Sequence, residues 1–174
     1  MKEVVWVFGA SASGKETFIK HLLDNNPPEL IKHIGWHDKT ITACSESLEI
    51  TGKAVDTLRE KILGKVPELL EKADVVLVKW QFVDSVAKRP QRLKELLPGV
   101  RHRVIELKVG MNELMKRLPN KAWWHDYGRE KEHVTTELHW VSKYLEDLSG
   151  EFEIVSINSN KYGNYEFVRG LEET

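Results

Sequence analysis

The sequence predicts a three-layer α/β fold built on a mostly parallel, five-stranded sheet. Three observations predict it. Short consecutive apolar runs alternate with stretches of helical period. A glycine-containing turn joins the first apolar run to the first helical stretch. The chain has 174 residues, the length of one domain. A domain of about 150 residues buries roughly 68–70% of its unfolded surface and needs no disulfide staples.

Each element is read in turn. Val4 to Phe8 is consecutive, apolar and largely β-branched or aromatic, which predicts a buried strand. Ser13 to Asp24 predicts a helix with Phe18, Ile19 and Leu22 on one face, stopped by Pro27-Pro28. Leu30 to Trp36 is read as a second short strand, and residues 37 to 52 as a polar loop. From Lys53 to Lys72, Val55, Leu58, Ile62, Val66 and Leu69 recur at steps of three and four, so this stretch is a helix, kinked or split at Gly64 and Pro67. Val75-Val76-Leu77-Val78 marks a third strand within Ala73 to Trp80. A short helix from Pro90 to Leu97 tolerates its proline in the first turn. Val104 to Val109 is a strand, Met111 to Leu118 a short helix, and residues 119 to 129 a charged loop. Glu130 to Leu148 places Val134, Leu138, Val141, Leu145 and Leu148 on one helical stripe, and Phe152 to Ile157 closes the sheet. Strands joined through helices imply parallel pairing with helices on both faces.

Composition narrows the function. The formal net charge of −1 gives no global field for a polyanion or a membrane surface. A lone cysteine, Cys44, forms no intramolecular disulfide and suits a reducing compartment. The apolar run at the N-terminus is too short for a signal peptide, and no stretch approaches the roughly 20 apolar residues that span a bilayer. A cytoplasmic protein without a membrane partner is expected.

Gly9-Ala10-Ser11-Ala12-Ser13-Gly14-Lys15-Glu16-Thr17 carries the chemistry. Its glycines allow a tight turn that aims backbone N–H groups at one centre. The helix N-terminus adds its positive dipole end. Lys15 then places an ammonium on the β- and γ-phosphates of a nucleoside triphosphate. Spacing Gly-x4-Gly-Lys between a buried strand and an amphipathic helix marks a P-loop. One position departs: Glu16 stands where Ser or Thr ligates Mg²⁺, and the hydroxyl follows at Thr17. Three readings stay open for Glu16: a metal ligand, a side chain turned away with water in its place, or an impaired metal site.

On these residues the chain resembles the nucleoside- and nucleotide-kinase-like group of P-loop proteins, which includes adenylate, guanylate, shikimate and gluconate kinases. The resemblance covers most of the chain by layout, and the P-loop is its sequence-specific part. It implies a P-loop fold over 1–174 as one domain, with a lid near 118–130. It implies ATP and Mg²⁺ as cofactors, a small-molecule phosphoryl acceptor as partner, and lid arginines that close on the transferred group. Arg117 and Arg129 match that placement, and arginine's planar fork suits phosphate oxygens. A carboxylate at the end of the second strand is implied as well, and Asp38 is the candidate, holding a proton or a hydrated Mg²⁺. The implied catalytic set is Lys15, Asp38, Arg117 and Arg129. Residues 9–17 are the implied nucleotide-binding set, with Glu16 and Thr17 at the metal. The turn from Asn158 to Gly163 is placed beside the base by the same resemblance.

A second departure appears at the end of the third strand, where P-loop proteins often carry an acid and this chain has Lys79, Trp80 and Gln81, with no carboxylate until Asp84. Lesser signals are the pair His133 and Glu137, spaced to share a metal; Trp123 and Trp124 inside the lid; and a basic stretch from Lys88 to Lys108. The basic stretch reads as a solvated face, and no nucleic-acid partner is expected. The expected activity is transfer of the γ-phosphoryl group of ATP. The alternatives are a catalytically weak nucleotide-binding regulator, and a kinase acting on a nucleic-acid end.

Overall fold

A computed structural model describes residues 1–48, 55–80 and 88–168, and the side chains of 55–60 and 88–89 fall outside it. Strand β1 (Glu3–Phe8) is buried along its whole length. It lies between β3 (Val75–Lys79) and β4 (Arg101–Lys108), both parallel to it. β2 (Ile41–Ala43) flanks β3 and β5 (Glu153–Asn158) flanks β4, again in parallel. A two-residue strand β6 (Glu166–Phe167) adds an antiparallel edge, so the sheet order is β2-β3-β1-β4-β5-β6. Five parallel strands are present, the number expected though not all at the expected places, and β6 is a sixth.

Alternation along each strand sends neighbouring side chains to opposite faces and builds two apolar layers. On one face Val4, Trp6, Phe8, Val76, Val78 and Val104 pack against α4 (Val55–Leu70), α5 (Lys88–Leu96), α6 (Met111–Arg117) and α7 (Glu130–Leu148). On the other, Val5, Val7, Leu77, Ile105 and Ile157 meet α1 (Lys15–Asn25) and α2 (Pro28–Ile34). The sheet is covered on both sides. Among the described residues no helix is long and apolar enough to cross a membrane.

Three expectations are corrected. Leu30 to Trp36 is largely helix α2 rather than a strand. Pro28 is preorganised for a first helical turn, Leu30, Ile31 and Ile34 share one buried face, and Gly35 ends the helix at φ +87°. The second strand comes later, at β2, inside the stretch expected to be loop, and a short helix α3 (Ser45–Leu48) follows it. Helix α4 continues through Gly64 and Pro67 without a break. Ile62, Val66 and Leu70 on it are buried. At about 1.5–3 kcal/mol per buried aliphatic side chain, they outweigh the ~3 kcal/mol cost of one internal proline.

A buried polar cluster pins β1, β4 and the end of α2 together. Glu3 is fully buried and accepts from Arg103 and from the Trp36 indole N–H at 3.1 Å, while Arg103 also donates to the Ile34 carbonyl at 2.8 Å. Because β1–β5 are parallel, their C-terminal ends share one edge of the sheet, where the loop after β1 lies.

Candidate phosphate-binding site

Phe8 ends β1 and Lys15 begins α1, so the loop from Gly9 to Gly14 lies at the C-terminal edge of the central strand. Two glycines are required there. A Cβ on Gly9 would come within 2.6 Å of Ser13 Oγ and 2.9 Å of the Leu107 carbonyl. Gly14 holds φ +87° as the N-cap of α1, and a Cβ there would reach 2.7 Å from the Tyr162 ring. Ala12 also has positive φ, at 67°, which costs a non-glycine residue some strain. Left-handed backbone of this kind is what shapes a concave nest of N–H groups, and here it leads into a helix whose N-cap makes no side-chain bond. That concavity and the helix dipole together favour an anion.

Lys15 is buried inside the loop and donates to the carbonyls of Gly9 and Ala10, each at 3.1 Å. Burial brings its pKa down to about 7, Lys79 and Lys121 push the same way, and Glu137 opposes them. An amine whose charged form is disfavoured by burial gains its proton readily when a phosphate comes beside it.

Two elements far away in sequence brace the loop. Arg117, at the end of α6, is buried and donates to the carbonyls of Ala12 and Ser13 at 3.3 and 3.4 Å and of Ser159 at 2.6 Å. Its Nε donates to Glu113 at 3.0 Å, and its guanidinium lies 4.0 Å from the Tyr162 ring centre. Ser159 Oγ donates to the Ser13 carbonyl at 3.0 Å. From the opposite side, Glu137 on α7 accepts from the Ser11 N–H at 2.8 Å and from its hydroxyl at 2.5 Å. His133 Nε2 lies 3.0 Å from the same carboxylate, and the His133 ring packs 4.9 Å from that of Trp124.

The sequence-predicted residues divide accordingly. Residues 9–14 form the loop and the Lys15 side chain turns back into it, while Glu16 and Thr17 lie on the first turn of α1. Arg117 reaches this loop, but its donors are engaged by protein carbonyls and Glu113, so its place is that of a brace. Arg129 caps the far end of α7, exposed and paired with Glu132 at 2.8 Å. It is eight residues from Glu137, about 12 Å along the helix. Asp38 is the clear correction. It precedes β2, at the N-terminal edge of the sheet, with an exposed side chain 3.3 Å from His37. The misplaced second strand accounts for this: the carboxylate that follows the real β2 is Glu46, on α3. Glu16 and Thr17 are exposed on the first turn of α1, and Lys79 Nζ lies 3.3 Å from Glu16. Gln81 and Asp84 fall outside the described residues. His133 and Glu137 bond to each other, and no group of three metal-ligating side chains forms among the described residues.

Sequence reasoning missed the contact of Glu137 with the loop. The signal was present: His133 and Glu137 set a polar pair beside the apolar stripe of α7 at Val134, Leu138 and Val141. A polar pair beside a core stripe asks for a partner in the interior.

No protein-family model matches the chain, and no curated protein matches it. Solved structures do. A structure from the PezAT chromosomal toxin–antitoxin system of Streptococcus pneumoniae is 15% identical, with a TM-score of 0.54, over 100% of this chain and 73% of that one. A gluconokinase from Sinorhizobium meliloti is 20% identical over 91% of this chain and 83% of its own, with a TM-score of 0.47. A shikimate kinase from Bacteroides thetaiotaomicron is 13% identical over 92% and 89%, with a TM-score of 0.43. This chain shares its α/β fold, a mostly parallel sheet covered by helices, with the PezAT structure. At these identities the likeness extends to the fold alone.

Proposed function

We propose that the chain binds ATP with Mg²⁺ at residues 9–17 and transfers the γ-phosphoryl group to a small-molecule acceptor, as one domain with a lid over about 118–130. The observation that carries this reading is Lys15, buried and turned back onto the carbonyls of a loop shaped by left-handed backbone at Ala12 and Gly14. Such a loop binds phosphate through geometry and dipole, and Lys15 adds the charge. The donor set fits Mg²⁺. Glu16 is one exposed carboxylate and Thr17 one exposed hydroxyl on the turn that follows the loop. Magnesium takes one or two protein oxygens and completes its shell with phosphate and water. When bound, the ion neutralises charge on the phosphates as the group is transferred. Lys15 orients the chain of phosphates, Arg117 keeps the loop in shape, and α7 and the lid bearing Trp124 border the site.

A second reading has its own support. Asp38 lies at the wrong edge and Arg129 is paired away from the loop, which suits a nucleotide-binding regulator with weak transfer. One experiment tests both. Calorimetric titration with Mg-ATP should give saturable binding that Lys15→Ala weakens ten- to a hundred-fold, the loss of a charge-assisted contact of about 1.5–3 kcal/mol. Undiminished binding by that variant refutes the phosphate-loop reading. Binding without transfer to a panel of hydroxyl and phosphate acceptors selects the regulator.

A further inference from the structure

The phosphate loop already holds an anion of its own. Glu137 is 8% exposed, and both oxygens of its carboxylate face Ser11. One oxygen takes the backbone N–H at 2.8 Å, the other the hydroxyl at 2.5 Å, with His133 Nε2 3.0 Å away. Ser11 sits mid-loop, where a phosphate oxygen would seek that same N–H. The carboxylate is also close enough to act electrostatically on Lys15, the residue that reaches the β- and γ-phosphates of a bound nucleotide. The cations acting on Lys15 from around it are Lys79 and Lys121. His133 fixes Glu137 from its other side, and the rings of Trp124 and Trp123 lie 4.9 and 6.1 Å from the imidazole.

We propose that Glu137 is a specificity residue that sets the preference of the loop between a nucleoside triphosphate and a diphosphate, by occupying the place of the terminal phosphoryl group. This rests on the reading of residues 9–17 as a nucleotide site and adds which nucleotide that site prefers. A diphosphate ends short of the carboxylate and leaves its bonds to Ser11 in place. A triphosphate meets a buried negative charge and must displace it, which breaks two hydrogen bonds to the loop. Like charges at close range in a poorly solvated place repel strongly, so the penalty falls on the longer nucleotide. The same contact ties occupancy by a triphosphate to α7: displacing Glu137 moves its bond to His133 and thereby the packing of Trp123 and Trp124.

The test is equilibrium titration of the full chain with ADP and with ATP at constant excess Mg²⁺, for the wild type, Glu137→Gln and Glu137→Ala. Glutamine keeps the size and one acceptor but has no charge, and alanine removes both. The expected result is that both variants tighten ATP by about tenfold or more while ADP changes by less than about threefold, since only the terminal group meets Glu137. ADP affinity is the internal control for a folded site. If ATP and ADP change by the same factor, or ATP binding is unchanged or weaker while ADP is retained, the proposal is overturned and the nucleotide site stands. If both variants lose ADP, Glu137 holds the loop together and the proposal is overturned as well. If wild type and variants bind neither nucleotide, the nucleotide reading fails and takes this one with it.

Discussion

Lys15 predicts that ATP binding takes up a proton. Burial holds its pKa near 7, against an ordinary value of 10.5. At pH 8 such a lysine is about one-tenth protonated in the free protein. A triphosphate beside it favours the charged form and returns the pKa toward its ordinary range. Binding at pH 8 therefore takes up about 0.9 proton per ATP, and the affinity falls by about tenfold per pH unit above 7. ATP itself is fully ionised at pH 8, so the nucleotide contributes little to the count. The assay is calorimetry at pH 8 in two buffers of different ionisation enthalpy, whose difference in apparent heat yields the proton number. Lys15→Met should bring that number close to zero. The unliganded fold shows the opposite sign. Between pH 7 and 10.5 the unfolded chain binds more protons at this residue than the folded one, so stability rises with pH across that window. Tight ATP binding at pH 8 with no proton uptake, or an equal uptake in Lys15→Met, refutes the reasoning.

Three further outcomes are expected. Arg117→Ala should lower stability by about 2–4 kcal/mol in urea unfolding and weaken ATP, because the carbonyls of Ala12, Ser13 and Ser159 lose their buried donor; unchanged stability would remove the brace. Arg117→Lys should rescue little, since an ammonium has no planar fork. Glu16→Gln should shift stability by under about 1 kcal/mol, as its pair with Lys79 is solvent-exposed on the glutamate side, yet weaken ATP in the presence of Mg²⁺ more than in its absence; equal effects with and without Mg²⁺ would exclude a metal role. Glu3→Gln should destabilise by about 2–4 kcal/mol, because buried Arg103 keeps only the half-exposed Glu153 carboxylate, 3.6 Å away, as counter-charge, read by denaturant titration, with nucleotide affinity unchanged in the folded fraction.

The legible parts of this molecule are the local ones. β1, the loop and α1 announce themselves within 25 residues, because an unbroken apolar run, a glycine turn and a helical period each leave a short-range pattern. α7 and its stripe are equally plain. The second strand was misplaced because Leu30, Ile31 and Ile34 are apolar in either reading, and only the Pro28 start and Gly35 stop favour a helix. The real β2 has three residues, none fully buried, and so little pattern to show. One displaced strand carried the candidate carboxylate with it: Asp38 became the end of a strand it precedes. Arg117 was found as a residue and missed as a role, since three of its four acceptors are loop carbonyls up to 105 positions away. Ser11 and Glu137 are 126 positions apart. Contacts of that span follow from how α7 lies on the sheet, which no local period encodes.

The two departures of the sequence from the usual phosphate loop turn out to be one. An acid stands after Lys15 where a hydroxyl is usual, and a cation stands at the end of the third strand where an acid is usual. In the fold these two residues, Glu16 and Lys79, meet at 3.3 Å. The exchange of positions leaves one negative and one positive charge at the same edge. It also changes which is held in place: Lys79 is largely buried, with 15% of its side chain exposed, while Glu16 has 60%. A fixed cation and a free carboxylate suit a site in which the protein supplies positive charge from the sheet and the helix offers the movable oxygen. Glu137 then sets the balance. Once a bound phosphate has charged Lys15, the cations Lys15, Lys79 and Lys121 stand against Glu16 and Glu137, and the loop is one charge positive rather than two. Releasing Glu137 from Ser11 therefore does more for a triphosphate than removing Glu16, whose exposed charge water already screens.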